Sequence, residues 1–456
     1  MDNRRKFSNR GFTLVEALVL IFLIVVVAVT FFSVFSSGTK GIIDSKKKLA
    51  AAEVANEKME TVRSLDYDDI GTTAGIVRGV LPEREVVSWD SGTYYVFTSV
   101  QYVDDPYDGT SNSDTTGTND YKKVRIKAAW EDDINSNNSV VLVSNFAPPG
   151  IETNAGGGTL SINVLDSDMK SIGQANVHIV NSVLGIDTRA TTDNTGNIIF
   201  PATPAGDKNY SIEVSKNGYF TVKTYSPYPT SSFSPIDVHA SVLDGQLTMV
   251  NLYTDKSSNL TVQTQDPFSA NVGNVGYSLE GGKKIGDTAA TPSVPVYAYK
   301  ENLNSGSSGE NKIADLSSGT YTFTFNAVSG YEFLKLNPID THFTENNKFI
   351  LSAGTDWTQK AIFASKTLNS LLVTVQNKTD SKPIKGASVE VKNSLPTAYD
   401  KTLTTDDYGQ AYFPDNLPEL AAGAYTISVS ADGFANKNDT TNVSQLTKKT
   451  IQLIAQ

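Results

Sequence analysis

Gly11-Phe12-Thr13-Leu14-Val15-Glu16 opens the stretch that decides how this chain is built. From Ala17 to Thr39 there follow 23 residues without a charge. That is long enough to cross a bilayer as one helix of about 20 residues, with the crossing expected over about residues 14–37. Arg4, Arg5, Lys6 and Arg10 crowd the N-terminal flank, so residues 1–10 are expected to stay cytoplasmic. Glu16 breaks the apolar pattern one turn in. A carboxylate inside a membrane helix costs about 2.5–3.5 kcal/mol on insertion scales and usually marks a function.

These residues resemble the cleavage site of type IV pilins and of the pseudopilins of type II secretion. The resemblance implies a cut after Gly11 by a prepilin peptidase, N-methylation of the new terminus at Phe12, and a role for Glu16 in assembly. The physics agrees with that implication. The ammonium created at Phe12 needs a counter-charge in an apolar filament core, and Glu16 of a neighbouring subunit supplies it. An ordinary secretory signal has a shorter apolar run and a small-residue cleavage site, neither of which is present.

Past the apolar run, Gly38 and Gly41 are expected to soften the helix. Leu49, Ala52, Ala55, Met59 and Val62 then recur at three- and four-residue steps, with Lys46, Lys47, Glu53, Glu57, Lys58 and Arg63 on the other face. This is an amphipathic helix continuing the membrane span. Residues 12–64 would form one rod roughly 80 Å long at 1.5 Å per residue. The run Ala55–Glu60 followed by Arg63–Ile70 resembles minor pilins of the PilV type. Residues 76–146 should supply a small sheet, with strands at Tyr94–Val100, Lys122–Trp130 and Val140–Val143. Between the first two lies a polar loop in which Asp104, Asp105, Asp108 and Asp114 are weak calcium candidates without EF-hand spacing.

Pro148-Pro149-Gly150 and Gly156-Gly157-Gly158 read as a flexible linker, and the rest of the chain is repetitive. Leu160-Ser161-Ile162-Asn163-Val164 answers Leu371-Leu372-Val373-Thr374-Val375. Thr191-Thr192-Asp193-Asn194-Thr195-Gly196 answers Thr404-Thr405-Asp406-Asp407-Tyr408-Gly409, read as a hairpin turn closed by Asp and Gly. A middle unit keeps Leu260-Thr261-Val262 and Gly319 to Phe325. It lacks that turn in its sequence and carries an insert from Gly281 to Pro295. The period-two alternation gives strands with one buried face.

Units one and three resemble the carboxypeptidase regulatory-like and CnaB-like prealbumin-type β-sandwiches. CnaB domains often hold a Lys–Asn cross-link with the lysine in the first strand. Here Ser161, Asn163, Thr261, Gln263, Leu372 and Thr374 stand there, so cross-linking is not expected.

The expected fold class is an α+β pilin part, a long transmembrane helix on a small antiparallel sheet, followed by three all-β sandwich domains. The divisions are a leader at 1–11, helix at 12–66, sheet domain at 67–147, linker at 148–158, and sandwiches at 159–254, 258–364 and 368–456. The net charge is −11, and removing a leader of net +3 leaves −14, which disfavours nucleic acid as a partner. With no cysteine there are no disulfides, and each module must build its own core. The three histidines, His178, His239 and His342, are scattered and read as solvated strand positions. No metal triad, nucleophile–His pair or phosphate loop is present, so no enzyme activity and no cofactor are expected.

The function this implies is a minor pilin-like subunit, processed by prepilin peptidase. It would be anchored in the membrane, joined to other pilin subunits by its helix, and display sandwiches at the cell surface for adhesion. Tyr225, Tyr228 and Trp357 are candidates to stack on a surface glycan, although a receptor protein would serve equally. A secretion pseudopilin, or an anchored adhesin outside any filament, is the alternative.

Overall fold

The structure is a computed structural model that describes residues 14–89, 92–104, 119–149, 156–393 and 398–456. One helix, α1 (Leu14–Arg63), runs for 50 residues without a break. At 1.5 Å per residue it is about 75 Å long. Gly38 and Gly41 do not interrupt it, because helical hydrogen bonding carries through both. Its two threonine hydroxyls bond back to the helix: Thr30 Oγ1 donates to the Val26 carbonyl at 2.9 Å and Thr39 Oγ1 to the Phe35 carbonyl at 2.9 Å.

The C-terminal part of α1 lies across four strands, β1 (Arg84–Trp89), β2 (Gly92–Val103), β3 (Tyr121–Ala129) and β4 (Ser139–Phe146). They form an antiparallel sheet in sequence order. Its inner face, Val96, Val100, Val124, Ile126 and Ala128, packs on Ala50, Ala51, Val54, Ala55, Met59 and Val62. Each such Val or Met contributes roughly 1.5–3 kcal/mol by leaving water. Two features differ from the sequence expectation. Ala55, Met59 and Val62 of the expected stripe are buried against the sheet, but Leu49 is 64% exposed, because Ala50, Ala51 and Val54 meet the sheet in the turns before them. Glu53 is not merely solvated: its carboxylate accepts from Trp89 Nε1 at 3.0 Å, while Lys58 pairs with Glu85 at 2.8 Å. Both contacts pin β1, a strand the composition did not reveal.

The remaining strands make two-layered sandwiches. In the first, Leu247–Tyr253, Gly158–Leu165 and Asn197–Thr203 face a sheet built on Asn176–Asn181 and Gly206–Ser215. The second and third repeat this plan around Ser258–Gln265 and Ser370–Asn377. In each unit the first strand pairs in parallel with the last: Gly158–Leu165 with Leu247–Tyr253, Ser258–Gln265 with Asp356–Ser365, and Ser370–Asn377 with Leu446–Leu453. Each unit has its own core. The middle core is aromatic, with Tyr277, Phe323, Phe325, Phe333, Phe349 and Phe363 in contact.

The Thr-Thr-Asp-x-x-Gly element is not a hairpin. Ile186–Thr191 belongs to one layer and Asn197–Thr203 to the other, so the element carries the chain across the sandwich. Asp193 Oδ1 accepts from the backbone N–H groups of Thr195 (2.8 Å) and Asn197 (2.9 Å). Asp406 Oδ1 does the same for Tyr408 and Gln410, both at 2.9 Å. Gly196 and Gly409 sit at φ +76° and +67° against the carbonyls of Val164 and Val375.

The middle unit keeps this crossing after all. Ser305 Oγ accepts from the Val275 N–H at 3.0 Å, as Thr192 does from Ala175 at 2.9 Å. Gly309 takes φ +70°, and its N–H donates to the Gly306 carbonyl at 3.1 Å. Gly306 stands where the other units have aspartate, which hid the element in the sequence. A buried tyrosine recurs as well, its hydroxyl donating to a nearby carbonyl: Tyr210 to Pro204 (2.5 Å), Tyr321 to Ser317 (2.8 Å) and Tyr425 to Ala421 (2.9 Å).

Candidate functional site

Two kinds of surface are available for function: the projecting helix, and the seams between modules. The helix is set by composition. From Leu18 to Phe35 its apolar side chains stand exposed on every side, as Phe22, Phe32 and Val34 illustrate, each more than 65% exposed. An exposed all-round apolar helix in water is a large cost, which a bilayer or a bundle of like helices removes. α1 is long and apolar enough to cross a membrane.

Gly11 and Phe12 lie outside the described residues. Glu16 falls in the first turns of α1, and its side chain also lies outside what is described. Asp105, Asp108 and Asp114 lie outside the described residues, and only Asp104 follows the end of β2 within them. Among the described residues no group of three or more acidic or histidine side chains is placed to hold a metal ion.

The first sandwich is seated on the sheet domain. The outer face of β3 presents Lys123, Arg125 and Lys127, and burial pushes all three below their ordinary pKa. Arg125 donates to Thr191, and Lys127 Nζ to the Ile134 carbonyl at 2.5 Å. Arg78 donates to the Leu184 carbonyl at 2.6 Å and the Gly185 carbonyl at 2.9 Å, and the Asp187 N–H to the Ala74 carbonyl at 2.7 Å. Ile76 enters the core of the first sandwich. A cavity of about 310 Å³ remains in this seam. Its cations are engaged within the protein, with Arg84 held by both oxygens of Asp132.

The insert of the middle unit is the second seam. Gly276–Thr288 and Pro295–Asn304 form a long hairpin whose outer end reaches back to the first unit. There Phe233–Pro235 adds to it as an antiparallel strand. Lys283 donates to the Tyr253 carbonyl at 2.6 Å and lies 3.8 Å from Asp237. Burial holds the lysine below and Asp237 above their ordinary pKa, each opposed by the other's charge. The third seam joins units two and three through Leu334, Ile362, Ala364 and Leu372, with ion pairs from Lys335 to Asp406 and from Lys448 to Glu332.

The aromatic candidates divide. Tyr225 packs edge-on to Phe233 at 5.4 Å, and burial pushes its phenol up. Tyr228 is 54% exposed, and Trp357 donates to Gln359 Oε1 at 3.0 Å. Tyr228 and Trp357 sit in different units. Of the histidines, His178 lies 2.6 Å from Asp187 and His342 2.7 Å from Asp340. His239 is partly buried 2.8 Å from Thr224 Oγ1, and burial lowers its pKa. His178 and His239 are partly enclosed within their sandwich, whereas His342 is solvated as expected but sits in a turn and not in a strand.

A family model for the carboxypeptidase regulatory-like domain matches residues 370–454, the third sandwich. No curated protein matches the sequence. Among solved structures, the TIE protein of Bacillus anthracis aligns over 79% of this chain and 70% of its own at 15% identity, with a TM-score of 0.20. A streptococcal ancillary pilin aligns over 66% of this chain and 99% of its own at 13% identity (TM-score 0.19). GBS52, the minor pilin of Streptococcus agalactiae, covers 44% and 97% at 13% identity (TM-score 0.17).

Proposed function

We propose that the chain is a minor type IV pilin-like subunit, cut between Gly11 and Phe12 by a prepilin peptidase and methylated at Phe12. It is held in the membrane, and then beside other pilin subunits, by α1. The observation that carries this reading is a single uninterrupted helix with two different halves behind a Gly-Phe-Thr-Leu-Val-Glu motif. The first half is apolar and bare; the second half is built into an antiparallel sheet. Glu16 serves assembly: its carboxylate neutralises the neighbouring subunit's terminal ammonium.

The sandwiches are surface display modules. They hold roughly twice as many residues as the helix and sheet domain together, a cargo that would crowd a continuous filament lattice. The subunit therefore sits at a tip or at sparse positions. A pseudopilin of a secretion machine shares this assembly, and an anchored adhesin outside a filament shares the display.

Mass spectrometry of the mature N-terminus is the direct test. A methylated Phe12 terminus is expected, and an intact Met1 or Asp2 on surface-exposed protein overturns the reading. Glu16→Ala separates insertion from assembly. The variant should insert at least as well, since a charge is removed from an apolar helix, yet be absent from filaments.

A further inference from the structure

We propose that the cleft between the second and third sandwiches is a binding site for a neutral saccharide of about two sugar units. This rests on the display role above for its setting alone, since binding is read on the purified chain whatever its assembly. The cleft is an open one of about 580 Å³, within the range of small-ligand sites. Its apolar wall is the pair Phe325 and Phe333, ring centroids 4.5 Å apart and tilted by 32°. Its polar wall is made of side-chain amides and hydroxyls, among them Asn347, Gln376, Tyr408 and Gln410.

Asn347 and Tyr408 are held in place. Asn347 Nδ2 donates to the Phe323 carbonyl at 2.6 Å, which leaves its side-chain oxygen as an acceptor. Tyr408 Oη donates to the Glu345 carbonyl at 3.2 Å, across the seam. The Lys335–Asp406 and Lys448–Glu332 pairs and the Leu334–Leu372 contact fix the two walls relative to one another. A site assembled before its ligand arrives loses less on binding.

The chemistry selects the ligand. Amides and hydroxyls both donate and accept, which suits sugar hydroxyls, and aromatic faces suit the apolar face of a pyranose ring. The side-chain oxygen of Gln410 is buried with no hydrogen-bond partner. Native folds rarely leave such an acceptor unmet, and a ligand hydroxyl supplies the missing donor once the amide turns toward it. The carboxylate on the lining, Glu345, is already paired with Lys348 at 2.6 Å. The site therefore offers no free charge to a uronic acid or to a peptide terminus.

The test uses the full chain in detergent and saturation-transfer NMR. The probes are maltose, cellobiose, lactose and di-N-acetylchitobiose, with a glucuronic-acid disaccharide and triglycine alongside. At least one neutral disaccharide should bind. Gln410→Ala and Gln376→Ala should each weaken it, by roughly tenfold for one lost hydrogen bond, without changing the melting temperature. Gln376 lines the cleft from a different strand and keeps the test valid if Gln410→Ala misfolds. Tyr228→Ala and Trp357→Ala should leave binding unchanged. The proposal is overturned if no neutral disaccharide binds, if triglycine or the acidic sugar alone binds, or if binding follows Tyr228 and Trp357 while ignoring Gln376 and Gln410.

Discussion

At the scale of single residues, the crossing element shows what one atom decides. Gly409 sits at φ +67°, and a Cβ there would lie 2.4 Å from the Val375 carbonyl oxygen. Gly386 sits at φ +72° with open space around it. Gly386→Ala should therefore cost about 1 kcal/mol for the left-handed backbone alone. Gly409→Ala should cost about 2–4 kcal/mol, because a collision with backbone is added to it. Hydrogen exchange across Ser370–Asn377 reads the difference, and equal losses would contradict it. His239 gives a pH dependence. Its folded pKa is below the ordinary value, so the unfolded chain binds the proton more readily. Stability is full above pH of about 6.5 and falls as pH is lowered through that value toward the folded pKa. The melting temperature should drop on acidification from pH of about 7 to about 5, and drop less in His239→Gln. Asp193, Asp406 and the paired glycines were legible in sequence because their roles are local. Gly306 was not, since the backbone bond from the closing glycine to the carbonyl three residues earlier is common to all three units, and the carboxylate that marks the element in sequence is missing from the middle one. The sheet switch was not legible either, because it depends on which strands pair.

At the scale of elements, α1 was readable from hydropathy and periodicity, but not where its buried stripe begins, nor its continuity through Gly38 and Gly41. Leu49 fits the spacing rule, but alanines at 50 and 51 are what allow the helix to approach the sheet closely. β1, Arg-Glu-Val-Val-Ser-Trp, alternates at an edge where Val86 faces water, so its apolar residues do not report one buried face. Gly38 and Gly41 sit in open helix, where a Cβ would meet nothing within 4 Å. Replacing both by alanine should strengthen the local helix by roughly 1–2 kcal/mol. Slower amide exchange between residues 36 and 44 is the expected reading; faster exchange would mean that the glycines answer a packing need.

At the scale of the whole molecule, sequence suggested loosely strung modules, whereas the seams tie each one to the next. The hairpin from the middle unit was visible only as an insert, because its partner, Phe233–Pro235, is too short to be read as a strand. Lys283→Ala should loosen this seam by leaving Asp237 without its cation. The chain lacks cysteine, so single cysteines can be introduced for spin labels in units one and two. A narrow distance distribution is expected in the parent chain and a broad one in the variant. The parallel pairing of first and last strands has a mechanical consequence. In every sandwich the chain enters at one end of that pair and leaves at the other. Tension applied across the two ends of a unit thus loads the rungs of the ladder together, in shear, and does not unzip them one at a time. The chain carries three such ladders, one per sandwich, and force applied across the two ends of any one of them meets all its rungs at once.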